Sequence, residues 1–198
     1  MKQIILATSN AHKIKEFKVL FTGSNFKLSS AEACGGMPQV VEDGDSFAAN
    51  ARIKANALRA LAPNKAWILS DDSGLEVDAL EGAPGIYSAR YAGCGASDSK
   101  NVKKLLSELS YRVGGDRKAH FRCVLCLVDT EGNESYHEGI SRGVIASGSF
   151  GSGGFGYDPI FIPDGYSESF SQLGKEFKAL YSHRALAVQA MLKFLGDS

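Results

Sequence analysis

The chain opens on an apolar run, Ile4, Ile5, Leu6 and Ala7, with no element before it, which predicts a buried strand over residues 2–8. After Ser9 and Asn10 the period changes. Ile14, Phe17, Val19, Leu20 and Phe21 supply the apolar side of a helix from residue 11 to about 21, with Asn10 as its N-cap. A second strand is predicted over 26–30, and the stretch 31–45, holding Gly, Pro and acids, reads as a loop. Ser46 caps a helix from 47 to about 61 on Phe47, Ala51, Ala55, Leu58 and Leu61, ended by Pro63 and Asn64. Residues 67–70 form a strand that 74–77 resume or pair with, and 83–85 make a turn. Val102, Leu105, Leu106 and Leu109 mark an amphipathic helix over 100–109. Two long strands, 117–128 and 133–147, flank a turn at 130–133, and a glycine-rich loop over 148–156 leads into a short strand at 159–162. Ser182 caps a last helix to about 195, with Gly196 just past its end. Early strand–helix units and a late hairpin predict an α/β or α+β architecture with a mixed sheet.

At 198 residues the chain is one large domain with room for two lobes, able to bury about 70% of its unfolded surface. Lys+Arg and Asp+Glu are 22 each, and a net charge of zero excludes a general binder of nucleic acid or acidic membrane, which needs a basic surplus. With 44% hydrophobic and 22% charged residues the chain is globular rather than disordered. The first apolar run is too short for a signal peptide and no window is long enough to cross a membrane, so the expected compartment is the cytoplasm. Cys34, Cys94, Cys123 and Cys126 then read as free thiols. Cys123 and Cys126 form a CxxC, but on a strand positions three apart face opposite sides, which argues against a zinc or redox site.

Five stretches carry candidate chemistry. Thr8, Ser9, Asn10, Ala11, His12 and Lys13 turn from a strand into a helix N-terminus, a ready anion site; the alternative is a capped helix with solvated lysines. Asp71 and Asp72, between Ser70 and Ser73-Gly74, are costly at the end of an apolar strand unless paired or metal-bound. Neighbours on a strand point opposite ways, so one faces a site and the other does a different job; an Asx-turn competes. Glu42, Asp43 and Asp45 precede the second helix, either as acids favoured at a helix start or as a further contribution to a metal. On that helix Asn50 and Lys54 share a face, fit to position an oxygen and to meet a phosphate; the commoner alternative for Lys54 is a solvated lysine. Residues 151–159 combine four glycines with Phe155 and Tyr157, which could stack on a flat ring, or simply form a hairpin loop. They match GxGxxG without the strand–helix setting a dinucleotide site needs. Lys178 and the pair His183-Arg184 after Ser182 would suit a keto oxygen or a phosphate, or an ordinary surface helix start.

Taken in order, these stretches resemble the inosine/xanthosine triphosphate pyrophosphatase family. The likeness is carried by Leu6 to Asn10 with Lys13, by Ser46-Phe47 with Asn50-Ala51 and Lys54-Ala55, and by Ser70 to Leu75. It continues through Gly82 to Tyr91, Gly153 to Pro159, and Ser182-His183-Arg184. The chain departs at Ala49 and Phe177, where the family often has glutamate, and at His12, where a small residue is common. The resemblance implies a two-lobed mixed α/β domain around a long twisted sheet with a central cleft, and a homodimer. It implies Mg²⁺-dependent hydrolysis of ITP, dITP and XTP to the monophosphate and pyrophosphate. It further implies that Thr8 to Lys13 hold the triphosphate, that Asp72 is metal ligand and general base with Lys13 and Lys54 in catalysis, and that Glu42 is a second metal ligand. Asn50 and Ser73 would contact substrate, Phe155, Gly156, Tyr157 and Asp158 would enclose the base, and Lys178, His183 and Arg184 would complete the pocket.

Overall fold

A computed structural model describes residues 2–111 and 116–196. The alternating patterns become β1 (Lys2–Leu6), α1 (Ala11–Leu20), β2 (Phe26–Ser30), α2 (Phe47–Arg59), β3 (Trp67–Val77), α3 (Asp98–Ser110), β4 (Lys118–Val128), β5 (Glu134–Ile145), β6 (Phe161–Pro163), α4 (Phe170–Tyr181) and α5 (His183–Phe194). Among the described residues the sheet order is β2-β1-β3-β4-β5-β6. β1 pairs in parallel with both β2 and β3, in the registers Ile4↔Leu28 and Ile4↔Trp67, while β5 and β6 are antiparallel, so the sheet is mixed.

The chain divides into two compact units, and the division falls within β3, β4, β5 and α5. The first comprises Met1–Asp72, Cys123–Gly139 and Ala187–Ser198. Its strands are apolar on both faces. Ile4, Leu6, Leu69, Cys123, Leu125 and Leu127 pack with Phe17 and Phe21 and with Val188 and Met191. Ile5, Ile68, Cys126 and Val128 pack on the other side with Ala51, Ala55 and Leu58 of α2. Cys123 and Cys126 therefore do lie on opposite faces, and all four cysteines are free thiols. The second unit, Ser73–Arg122 with Ile140–Leu186, closes around Leu75, Val77, Leu105, Phe121, Phe161 and Phe170. There the Phe121 ring meets Phe161 edge-on at 4.7 Å.

Several details depart from the sequence reading. β3 runs unbroken through Asp71-Asp72-Ser73-Gly74, so these residues form no Asx-turn. Val19 and Leu61, assigned to apolar faces, are exposed. α3 starts at Asp98 on an Ser97 cap, two residues before the start read from periodicity. The stretch 159–162 is half 3₁₀ turn (Asp158–Ile160), with the strand confined to β6. α4 was not foreseen, although Ser169 and Gln172 form a full capping box at its start; Gly174, at φ 84°, breaks its helical period.

Candidate functional site

Strand geometry builds the first constellation. Successive side chains of β3 leave by opposite faces. Asp71 goes to the α1 side, where its Oδ2 lies 2.9 Å from Lys13 Nζ. Asp72 goes to the α2 side, where its Oδ1 lies 2.7 Å from Lys54 Nζ. The two aspartates thus leave β3 by opposite faces, as the pleat dictates. Two residues back from Asp72, on the same α2 side, Ser70 Oγ donates to the Ala51 carbonyl at 2.5 Å, pinning β3 to that helix.

Lys54 and Asn50 stand one turn apart on α2 and gather the acids. Glu42 Oε2 is 3.2 Å from the same Lys54 ammonium, so two carboxylates converge on one cation. Asn50, fully buried, donates from Nδ2 to Asp72 Oδ2 (3.4 Å) and accepts the Gly44 amide on Oδ1 (2.9 Å). The acidic loop is thereby tied to Asp72. Gly44 allows that approach, because a Cβ there would stand 2.7 Å from Asn50 Oδ1. Glu42 is the acid that joins the constellation, while Asp43 is exposed. Burial pushes the Asp72 carboxyl above its ordinary range, and Lys54 and Lys13 pull it only part of the way back. Burial also works against the charge of Lys54, but Asp72, Asp71 and Glu42 outweigh it and hold the ammonium above its usual value. Lys54 and Asp72 thus lie within hydrogen-bond reach of one another, each buried group facing a partner of opposite charge.

The helix start at residues 8–13 is capped from within. Asn10 Oδ1 accepts the amides of His12 (2.9 Å) and Lys13 (3.2 Å), and Thr8 Oγ1 accepts the Asn10 amide (3.2 Å). Two of the N–H groups that an anion would use are therefore engaged by the cap. Lys13 reaches Asp71, Thr8 is half-buried, and Ser9, Ala11 and His12 are exposed at the turn.

The second unit assembles the remaining candidates. Asp158, only 2% exposed, accepts from Lys178 Nζ (2.7 Å) and from the Phe155 amide (2.9 Å) on the same Oδ2. Gly154, at φ 77°, is required beside it, since a Cβ would overlap that oxygen. Lys178 Nζ sits 4.9 Å from the half-buried Phe155 ring. Tyr157 lies in the core with its OH on the Ser88 carbonyl (2.9 Å), so its ring anchors the loop and is not a stacking surface. Burial pushes its hydroxyl far above the usual phenol range. His183 and Arg184 are 4% and 1% exposed, which rules out an ordinary surface helix start. The His183 ring stacks on Phe121 at 4.7 Å, Arg184 donates to Ser73 Oγ at 2.8 Å, and Ser182 caps the turn by accepting the Ala185 amide at 3.2 Å.

Sequence reasoning missed Asp98 and Ser88. Asp98 Oδ2 accepts the Gly156 amide at 2.6 Å, and Ser88 Oγ accepts the Leu75 amide at 2.9 Å. The Ser97-Asp98 pair is itself a helix-start signal and would have found the first. A cavity of 460 Å³ lies between the first turns of α3 and the loop bearing Ser152 and Phe155.

The donor set of the first unit suits a hard divalent cation. Among the described residues no group of three His, Cys, Asp or Glu forms a ready cage. Mg²⁺ commonly takes one or two carboxylates and completes its shell with water and substrate phosphates, and Asp72 and Glu42 already converge on a cation, the Lys54 ammonium. No helix among the described residues is long and apolar enough to cross a membrane.

The chain is similar to known proteins over nearly its whole length. The model of the Ham1 family matches residues 4–194. A dITP/XTP pyrophosphatase of Opitutus terrae is 47% identical over 92% of this chain and 93% of its own. The solved Ham1 protein of Staphylococcus aureus is similar at TM-score 0.85 with 40% identity, covering 98% of each chain. That of Coxiella burnetii is similar at TM-score 0.89 with 33% identity, covering 99% of each.

Proposed function

Because the chain belongs to the Ham1 family, we propose that it is a nucleoside triphosphate pyrophosphatase acting on deaminated purine nucleotides: ITP, dITP and XTP. It cuts them to the monophosphate and pyrophosphate, with Mg²⁺ as cofactor, as a cytoplasmic homodimer. The observation that carries this reading is the convergence of Asp72 and Glu42 on one buried ammonium, with Lys13 held by the neighbouring Asp71.

Water attacks the α-phosphorus; the new P–O bond forms as the bond to the pyrophosphate oxygen breaks. Asp72 orients the water and accepts its proton, a role favoured by burial, which raises its basicity. Lys13 and Lys54 stabilise the negative charge gathering on the phosphate oxygens. Mg²⁺, held by Asp72 and Glu42, would neutralise and orient the phosphates. Thr8, Ser9, Asn10, Ala11 and His12 border the triphosphate, and Asn50 acts on it through Asp72 and the 42–44 loop.

The base is assigned to the second unit. Phe155 supplies the flat apolar face, with Gly156 beside it, and Tyr157 and Asp158 hold that segment in place. Lys178, His183 and Arg184 bring N–H donors, with Ser73 on Arg184. Donors match the 6-keto oxygen of hypoxanthine or xanthine and mismatch a 6-amino group, a difference worth orders of magnitude. The test is pyrophosphate release from ITP, XTP, dITP, GTP, ATP and dUTP, each with Mg²⁺ and with EDTA. The expected result is turnover of ITP, XTP and dITP far above ATP, lost with EDTA. Binding without release in the presence of Mg²⁺ would make the protein a nucleotide sensor instead.

A further inference from the structure

The glycine-rich loop holds its shape through side chains that lie outside it. Gly151, Gly154 and Gly156 all have positive φ, and backbone of this kind keeps little conformation of its own. Ser169 Oγ donates to the Phe150 carbonyl at 2.8 Å, and Ser171 Oγ donates to the Gly153 carbonyl. Asp158 takes the Phe155 amide. The next amide, that of Gly156, donates to Asp98 Oδ2 at 2.6 Å.

Asp98 comes from the first turn of α3, and the 460 Å³ cavity separates that helix from the loop. Val102 and Lys103 line one side and Gly153 to Gly156 the other. Over this stretch the cavity lies between the loop and α3, and the Asp98 carboxylate ties the two together. The cavity also leaves the loop somewhere to go if the tie is cut.

We infer that Asp98 is a positioning residue for the purine: it fixes the Phe155–Gly156 peptide, and so the Phe155 ring, in the arrangement that receives the base. The inference rests on the proposed function, which places the base at Phe155. Without the tie, the loop populates other arrangements, and apparent affinity falls with the fraction that remains competent. The residues assigned to the phosphates belong to the other unit, and the latch touches none of the reacting atoms, so the chemical step keeps its rate.

The test compares Asp98→Ala with Asp98→Asn. Both remove the negative charge from the start of α3, but only alanine removes the acceptor. In Asp98→Ala, KM for ITP is expected to rise about tenfold, the worth of a charged hydrogen bond, with kcat and inhibition by pyrophosphate unchanged. Asp98→Asn should restore most of the wild-type KM. Hydrogen exchange of the Gly156 amide should speed up in the alanine variant and stay slow in the asparagine variant. An unchanged KM in Asp98→Ala overturns the inference, as does an unchanged exchange rate. So does a matching loss of kcat and pyrophosphate inhibition, which would mean general damage. Failure of the wild type to release pyrophosphate from ITP refutes the functional reading instead, and the exchange rates still decide whether the latch exists.

Discussion

Asp72→Asn replaces one carboxylate oxygen by an amide group of the same shape, at a position bonded to Lys54 and Asn50. Lys54 loses an anion at 2.7 Å, with both side chains about nine-tenths buried. Two unit charges at that distance attract by about 6 kcal/mol at an effective dielectric of 20, much of it offset by the cost of desolvating them. Glu42 remains at 3.2 Å, so the ammonium keeps a counter-ion and the loss should fall short of the ~3–5 kcal/mol of a stranded charge. A destabilisation of about 2–3 kcal/mol is expected, with the Lys54 pKa moving down as its strongest partner disappears. The hydrogen bonds fare badly as well. If the new amide turns its oxygen to Lys54, its nitrogen faces Asn50 Nδ2, a second donor, and Asn50 Oδ1 is already taken by Gly44. Loss of the base should lower turnover by about 10²–10⁴. Nucleotide affinity should hold, because removing a negative charge eases the approach of phosphates. The assay is pyrophosphate release at saturating ITP, with equilibrium binding and urea unfolding on the same protein. A variant that turns over ITP at the wild-type rate refutes the role of Asp72. One that loses binding and turnover together makes the residue structural.

Two more perturbations follow from groups with defined surroundings. Burial holds the pKa of His137 below its ordinary 6.5, with Nε2 at 3.1 Å from Ser135 Oγ and the ring against Phe194. The unfolded chain takes up a proton first on acidification, so this contribution is present above pH 6.5 and is lost as pH falls through the folded value. His137→Gln should therefore lose less stability than wild type between pH 7.5 and 5, read from urea midpoints; equal losses would refute it. Gly154→Ala forces a methyl into Asp158 Oδ2 at a positive φ, and should break the Asp158–Lys178 pair. Stability should fall by about 3 kcal/mol and KM for ITP should rise, with pyrophosphate inhibition unchanged; a wild-type thermal midpoint would show that the loop yields without cost.

Some of this protein can be read from its chain alone, because the determinants are local. β1, α1, β2 and α2 fall within two residues of the elements expected from period and caps, and Asn10, Ser46 and Ser182 cap as their side-chain chemistry dictates. The opposite faces of Asp71 and Asp72, and of Cys123 and Cys126, follow from the pleat. Other features have no local determinant. Asp-Asp-Ser-Gly reads as a turn by composition, and it is strand because β3 lies between β1 and β4 in the sheet, where ladder bonds outweigh turn propensity. Glu42 and Asp43 carry the same charge one position apart, and only the Gly44–Asn50 contact decides which reaches Lys54. Phe155 and Tyr157 look equivalent as aromatic surfaces until the core takes one ring and leaves the other half-buried. Asp98 gains its partner at Gly156 from a loop 58 positions away. Periodicity and capping act over a few residues and are written in the sequence; burial and pairing are set by which distant segments arrive beside a residue, and tertiary structure alone decides that.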